Sequence, residues 1–140
     1  MLSPDVNILV SIYREDAAHH QRCRDWLEES LGSGQRVAVS ELVLSGFLRV
    51  VTHPRIFDPP SPSPHATGFV DALLAQDGVG TLRPGGSHWR IFRGLCDQTQ
   101  VHGNQIPDAY HAALAIEHGC EWITLDRGFG IYPGLRWRSA

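Results

Sequence analysis

The stretch Pro107-Asp108-Ala109-Tyr110-His111-Ala112-Ala113-Leu114-Ala115-Ile116-Glu117-His118-Gly119-Cys120-Glu121-Trp122-Ile123-Thr124-Leu125-Asp126 carries the clearest reading in the chain. Proline suits the first turn of a helix, where its missing N–H is not needed, and glycine suits the left-handed cap after the last turn. Pro107 and Gly119 therefore bracket a helix. Its Ala109, Ala112, Ala113 and Ile116 face is small enough to lie close on a sheet. Trp122 to Leu125 reads as a buried strand, and an acid, Asp126, follows it directly.

The helix-then-strand unit recurs upstream. Leu2 to Val6 and Arg36 to Val39 read as strands, as do Val79 to Leu82 and, more weakly, Leu135 to Trp137. Ile8 to Tyr13 starts a helix. Asp16 is placed to cap a second one running to about Leu31, with Cys23, Trp26 and Leu27 on one face. Ser40 caps a third that reaches Val51. That helix is apolar almost all round (Leu42, Val43, Leu44, Phe47, Leu48, Val50), which predicts a buried central element. Further helices are expected over Ala66 to Ala75 and Ser87 to Gln98. His53 to Pro64 holds five prolines and reads as a loop, ordered or mobile. Strands alternating with helices predict an α/β fold with a mainly parallel sheet and helices on both sides.

A chain of 140 residues suits one domain, residues 1–140, able to bury a core without cross-links. No stretch approaches the length of a membrane span. Met1 to Val10 has an early Asp5 and no basic start, unlike a signal peptide. Three cysteines with no C-x-x-C pair indicate neither a disulfide framework nor a zinc site, and point to the cytoplasm. The twelve basic residues are all arginine, whose planar fork of donors matches phosphate. The net charge of −3 is unfavourable for a nucleic-acid binder, unless several acids are gathered at one metal site and the remaining surface is mildly basic.

The acids are placed suggestively. Asp5 ends the first strand, Glu41 begins the helix after the second, Asp108 lies in the first turn of its helix, and Asp126 follows the fourth strand. Ligand sites in open α/β sheets lie beyond the carboxyl ends of the strands, so all four can converge there. Singly, each has an ordinary explanation as a turn former or a partner of a helix dipole. Together they would repel, by about 4 kcal/mol per pair at 4 Å and an effective dielectric of 20, and so require a cation. Oxygen-only ligands select Mg²⁺ or Mn²⁺ over zinc, and such an ion suits phosphodiester hydrolysis.

Pro4-Asp5-Val6-Asn7, Ser40-Glu41, the run Phe47-Leu48-Arg49-Val50-Val51-Thr52-His53-Pro54, Pro107-Asp108-Ala109-Tyr110 and Thr124-Leu125-Asp126-Arg127 resemble the PIN-domain ribonucleases, specifically the VapC toxins of bacterial toxin–antitoxin operons. The resemblance covers nearly the whole chain. It implies a three-layer α/β/α sandwich and a Mg²⁺-dependent endoribonuclease that cuts a cellular RNA, a tRNA or an rRNA. Asp5 and Asp108 would be direct metal ligands, and Glu41 and Asp126 would complete the acidic quartet. It further implies a homodimer and a cognate VapB-type antitoxin, for which the helices near Trp26 and Phe47 are candidate docking surfaces.

Other residues are weighed beside these. Asn7 and Thr124 either orient Asp5 and Asp126 or only bond local turns. Asn104 reads as a loop residue. His19 and His20 read as structural, on the face of Cys23 and Leu27. His111, one turn after Asp108, is a minor candidate for a phosphate contact. Arg49 and Arg127 are candidate backbone contacts. The tryptophans read mostly as core. Three rival readings differ in kind. An aspartate-nucleophile phosphatase would need a lysine, and the chain has none. In a nucleotide-binding module, Gly78-x-Gly80 would lack its third glycine. The third rival is a non-catalytic RNA-binding PIN scaffold.

Overall fold

The computed structural model describes residues 1–140. Five parallel strands, β1 (Leu2–Pro4), β2 (Val37–Ser40), β3 (Val79–Leu82), β4 (Glu121–Ile123) and β5 (Trp137–Arg138), form one sheet in the order β3-β2-β1-β4-β5. The helices are α1 (Val6–Tyr13), α2 (His20–Gly32), α3 (Glu41–Val51), α4 (Ser63–Leu74), α5 (His88–Thr99) and α6 (Gln105–His118), with a short 3-10 turn over Arg127–Ile131. The α/β expectation holds. No helix is long and apolar enough to cross a membrane.

The strand order fixes where a site can form. The chain runs outward from β1 to β2 to β3, then returns past β1 to place β4 and β5 on its other side. Parallel crossovers are right-handed in nearly all proteins, so reversing direction moves the connecting helices to the opposite face. Packing agrees: α1 packs on α2 and α3, α3 on α4, and α5 on α6. The reversal falls between β1 and its neighbours, and the crevice beyond the strand ends there is where α/β sheets bind ligands.

Pro4 limits the pairing of β1 with β2. It has no N–H, and the β1–β2 ladder has only the Leu2↔Val37 register, whereas β1 pairs with β4 from Leu2↔Glu121 to Pro4↔Ile123. Asp5 continues the β4 side, its N–H donating to the Ile123 carbonyl at 2.8 Å.

Several boundaries differ from the sequence expectations. Strand β1 stops at Pro4 because Asp5 caps α1, so Val6 is helical. Asp16 caps nothing: it forms a two-point ion pair with Arg14 (2.8 and 2.6 Å), and α2 starts at His20. Ser40 both ends β2 and caps α3, accepting from the Val43 N–H at 3.1 Å. α3 is one-sided, not buried all round: Val43, Leu44, Phe47 and Val51 face the core, while Leu42 is 42% exposed. α4 begins at Ser63 and takes Pro64 into its first turn. Pro107 lies two residues inside α6, still within the turn that needs no donor. Strand β4 ends at Ile123 and β5 is Trp137–Arg138.

The proline-rich stretch is ordered. Arg14 donates to the Pro59 carbonyl (3.1 Å) and to Ser61 Oγ (3.0 Å), and its guanidinium lies 4.2 Å over the Phe57 ring. The side chains of Trp26 and Phe47 themselves are both buried in the core. Trp122 is also core, but Trp89 is 68% exposed and only leans on Phe92.

Candidate active site

Asp5 is 7% exposed and accepts three hydrogen bonds. Oδ1 takes the Val6 N–H (2.7 Å); Oδ2 takes Asn7 Nδ2 (2.9 Å) and the Thr124 hydroxyl (2.6 Å). The Thr124 hydroxyl also accepts from Asn7 Nδ2 (3.2 Å) and from the Asp126 N–H (3.0 Å), which exhausts its one donor and two lone pairs. Asn7 Oδ1 accepts the Leu125 N–H at 3.1 Å, which fixes the amide orientation. Asn7 and Thr124 therefore bind the end of β1 to the chain leaving β4. Of the two readings open in the sequence, the structure supports orientation of the acids across the crevice.

These bonds stabilise the Asp5 carboxylate, yet burial and the nearby Asp126 charge outweigh them and raise its pKa. Asp108 is pushed further, to about 6, first by burial and then by the charges of Asp5 and Asp126. Three aspartates are thus close enough to repel. Asp126 is exposed; it also caps the 3-10 turn, Oδ1 accepting the Gly128 N–H at 2.7 Å. Like Glu41 it does not line the cleft, but its charge is near enough to raise the pKa of both Asp5 and Asp108. A Cβ at Gly128 would stand 2.9 Å from its Oδ1, so a larger residue there would displace the Asp126 carboxylate.

Glu41 takes a different position. It is exposed at the start of α3 and accepts from Arg83 at 2.8 Å, and it does not line the cleft.

The cleft holds about 460 Å³ between α1, α3 and α6. Asp5 and Asp108 form its acidic wall, and Arg49 from the last turn of α3 stands in it without an ion-pair partner. Gly46 lets α3 close on α1, since a Cβ there would meet Val6 Cγ2 at 2.8 Å. Asn104, read as a plain loop residue, lines the cleft. Its only sequence signal was its place just before α6.

His111 also lines the cleft, its ring stacked 5.3 Å from that of Trp122. Burial lowers its pKa to about 4, so it is neutral at pH 7, and Nδ1 has no partner. His20 is structural, Nδ1 lying 2.8 Å from the Ser11 carbonyl. His19 immediately precedes α2 and is exposed, its carbonyl accepting the Cys23 N–H at 3.0 Å.

The donor set suits a hard cation. No three His, Cys, Asp or Glu side chains converge tightly enough to cage an ion. Magnesium commonly takes one or two carboxylates and keeps its waters. Among protein groups, Asp5 has about one lone-pair direction left, on Oδ1, which limits it to a single further bond.

Comparison with known proteins identifies the family. The PIN domain family model matches residues 3–135. A VapC ribonuclease of Mycobacterium bovis is 42% identical over 138 residues, covering 99% of this chain and 94% of the relative. Ribonuclease VapC25 of Mycobacterium tuberculosis is 39% identical over 132 residues, covering 94% and 93%. The VapBC2 structure from Rickettsia felis superposes with a TM-score of 0.73 at 16% identity, over 99% of this chain and 97% of that one. VapC20 of Mycobacterium tuberculosis, described as a sarcin-ricin loop cleaving toxin, gives 0.68 at 14% identity, over 97% and 99%. The switch-point crevice with its aspartates and these full-length matches together place the chain in the PIN-domain family, among the VapC ribonucleases.

Proposed function

We propose that the protein is a Mg²⁺-dependent endoribonuclease, with Mn²⁺ as an alternative ion, and the toxin of a VapBC-type pair. Its action would be to hydrolyse phosphodiester bonds of a cellular RNA, a tRNA or an rRNA, and so inhibit translation. The observation that carries this is that Asp5 and Asp108 share one cleft wall with Asp126 near them, burial first and then the charges of Asp5 and Asp126 raising the Asp108 carboxyl to about 6. Mutual repulsion of that kind is relieved by a cation, and the VapC names of the relatives give the substrate class.

A divalent cation, when bound, supplies charge neutralisation at the phosphate and a water more easily deprotonated. Asp5 and Asp108 are the residues that would hold it. Thr124 and Asn7 keep the Asp5 carboxylate in one orientation. Asp126 faces the same region and can accept a hydrogen bond from the attacking water. Glu41 would join this set only after leaving Arg83. Arg49 offers a positive fork to a non-bridging phosphate oxygen. The VapBC complexes among the fold neighbours support an antitoxin partner. A homodimer is proposed on family grounds.

The test is incubation of purified protein with total RNA, with Mg²⁺ and with excess chelator, followed by mapping of cleavage ends. Discrete ends that need the ion and vanish in Asp108→Asn are expected. RNA binding without cleavage under every condition would favour the scaffold reading, which the Glu41–Arg83 pairing makes worth separating.

A further inference from the structure

A second pocket, of about 390 Å³, is lined in part by Thr124, which bonds Asp5 of the cleft wall. Its wall includes Arg22, Arg127, Arg138, His19 and Trp137, and no acid. Two of these arginines are partly engaged. Arg22 donates to the Ala140 carbonyl (2.6 Å) and to Ser139 Oγ (2.9 Å), and Arg138 pairs with Glu121 at 3.2 Å. The exposed Arg127 has no hydrogen bond or ion pair to any protein group. The concentration of positive charge matters because of its neighbour: Thr124 lines this pocket and its hydroxyl donates to Asp5. Arg127 directly follows Asp126.

A polyanionic strand approaching three aspartates is repelled unless its other phosphates find positive charge nearby. We propose that this pocket is a subsite for the RNA backbone, taking a phosphate next to the scissile one through Arg127, with His19 and Arg22 beside it. The half-exposed Trp137 offers a face for the attached base. The subsite rests on the ribonuclease reading and deepens it. It also accounts for binding of a polyanion by a chain of net charge −3, since the positive charge is gathered beside the acids.

The test uses the full chain carrying Asp108→Asn, in chelator, and a short fluorescein-labelled single-stranded RNA of mixed sequence. Anisotropy titrations across a salt series compare this parent with added Arg127→Gln, Arg127→Lys or Arg24→Gln. Arg24 pairs with Glu28 on α2 and lies in a different groove, so it controls for net charge. Arg127→Gln should weaken binding on the order of three- to tenfold and reduce the salt slope by about 0.7, one phosphate contact on a single strand. Arg127→Lys should recover most of the slope, and Arg24→Gln should match the parent. If the parent binds and Arg127→Gln gives the same affinity and slope, the subsite is wrong and the ribonuclease reading stands. If Arg24→Gln weakens binding as much, the effect is global charge and the subsite is again wrong. If the parent does not bind and wild type does not cleave RNA, both readings fall.

Discussion

The Thr124 hydroxyl donates to Asp5 Oδ2 at 2.6 Å across the crevice between β1 and β4, joining residues 119 apart in sequence. It is also the acceptor for the Asp126 N–H. One hydroxyl thus orients the Asp5 carboxylate and anchors the backbone at Asp126. Thr124→Val keeps the shape and removes the hydroxyl, leaving Asp5 short of a donor and the Asp126 N–H without an acceptor. A loss of about 1–3 kcal/mol in urea unfolding is expected, along with a fall in kcat. Thr124→Ser should restore both. A valine variant with wild-type kcat would show that the network only supports the fold.

The Asp108 carboxyl gives a pH signature in metal-free buffer. Its pKa is about 6 in the folded protein against 3.8 for the ordinary group. Between those values the folded state keeps a proton that the unfolded chain releases, so stability falls as pH rises from about 4 to about 6 and stays lower above. Asp108→Asn cannot ionise. It should match wild type near the low end of that window and have the higher Tm above it. Adding Mg²⁺ should raise the wild-type Tm more than the variant's. Equal Tm values at neutral pH would count against the crowding of charge inferred here.

Much of this was legible in the sequence, for physical reasons that also explain what was missed. Pro107, Gly119 and Ser40 act on the backbone within a few residues, so they marked α6 and α3 from local chemistry alone. The four acids stood out because each follows or opens an element. Long-range choices were not visible. Asp16 looked like a cap, but Arg14 offers it a stronger two-point partner. Glu41 looked equivalent to the aspartates, but Arg83, 42 residues away, holds its side chain. His111 was visible only through its place one turn after Asp108, and Asn104, which reads as a loop residue, lines the cleft through the packing of α6.

Arg14 is the tie that holds the proline-rich stretch. Arg14→Ala removes the contact with the Phe57 ring and both bonds to Pro59 and Ser61. Limited proteolysis should then cut between residues 53 and 62 at protease levels that leave wild type intact. Global stability should fall by only about 1–2 kcal/mol, because the core does not depend on that loop. If the loop stayed protected, its order would have to come from the Ser61–Val51 backbone bond and the turn bonds to His53.

Asp5→Asn and Asp108→Asn remove the same charge and should move stability in opposite directions. At position 108 the amide relieves repulsion with Asp5 and Asp126, and no protein donor is lost, because none bonds that carboxylate. At position 5 the carboxylate accepts from three donors on two oxygens. An asparagine has one acceptor oxygen. If that oxygen faces Asn7 and Thr124, its NH₂ is set against the Val6 N–H. The flipped amide sets NH₂ against Asn7 Nδ2 and leaves the Thr124 hydroxyl without its acceptor. Either arrangement places donor against donor in a buried site, which should destabilise the protein by about 1–3 kcal/mol. Relief of the cost of burying the charge, and then of the Asp126 repulsion, offsets part of this. Urea unfolding at neutral pH in chelator should place Asp108→Asn above wild type and Asp5→Asn below it, while both lose RNA cleavage. Two variants shifted equally and in the same direction would show that the difference between the two carboxylate environments does not govern stability.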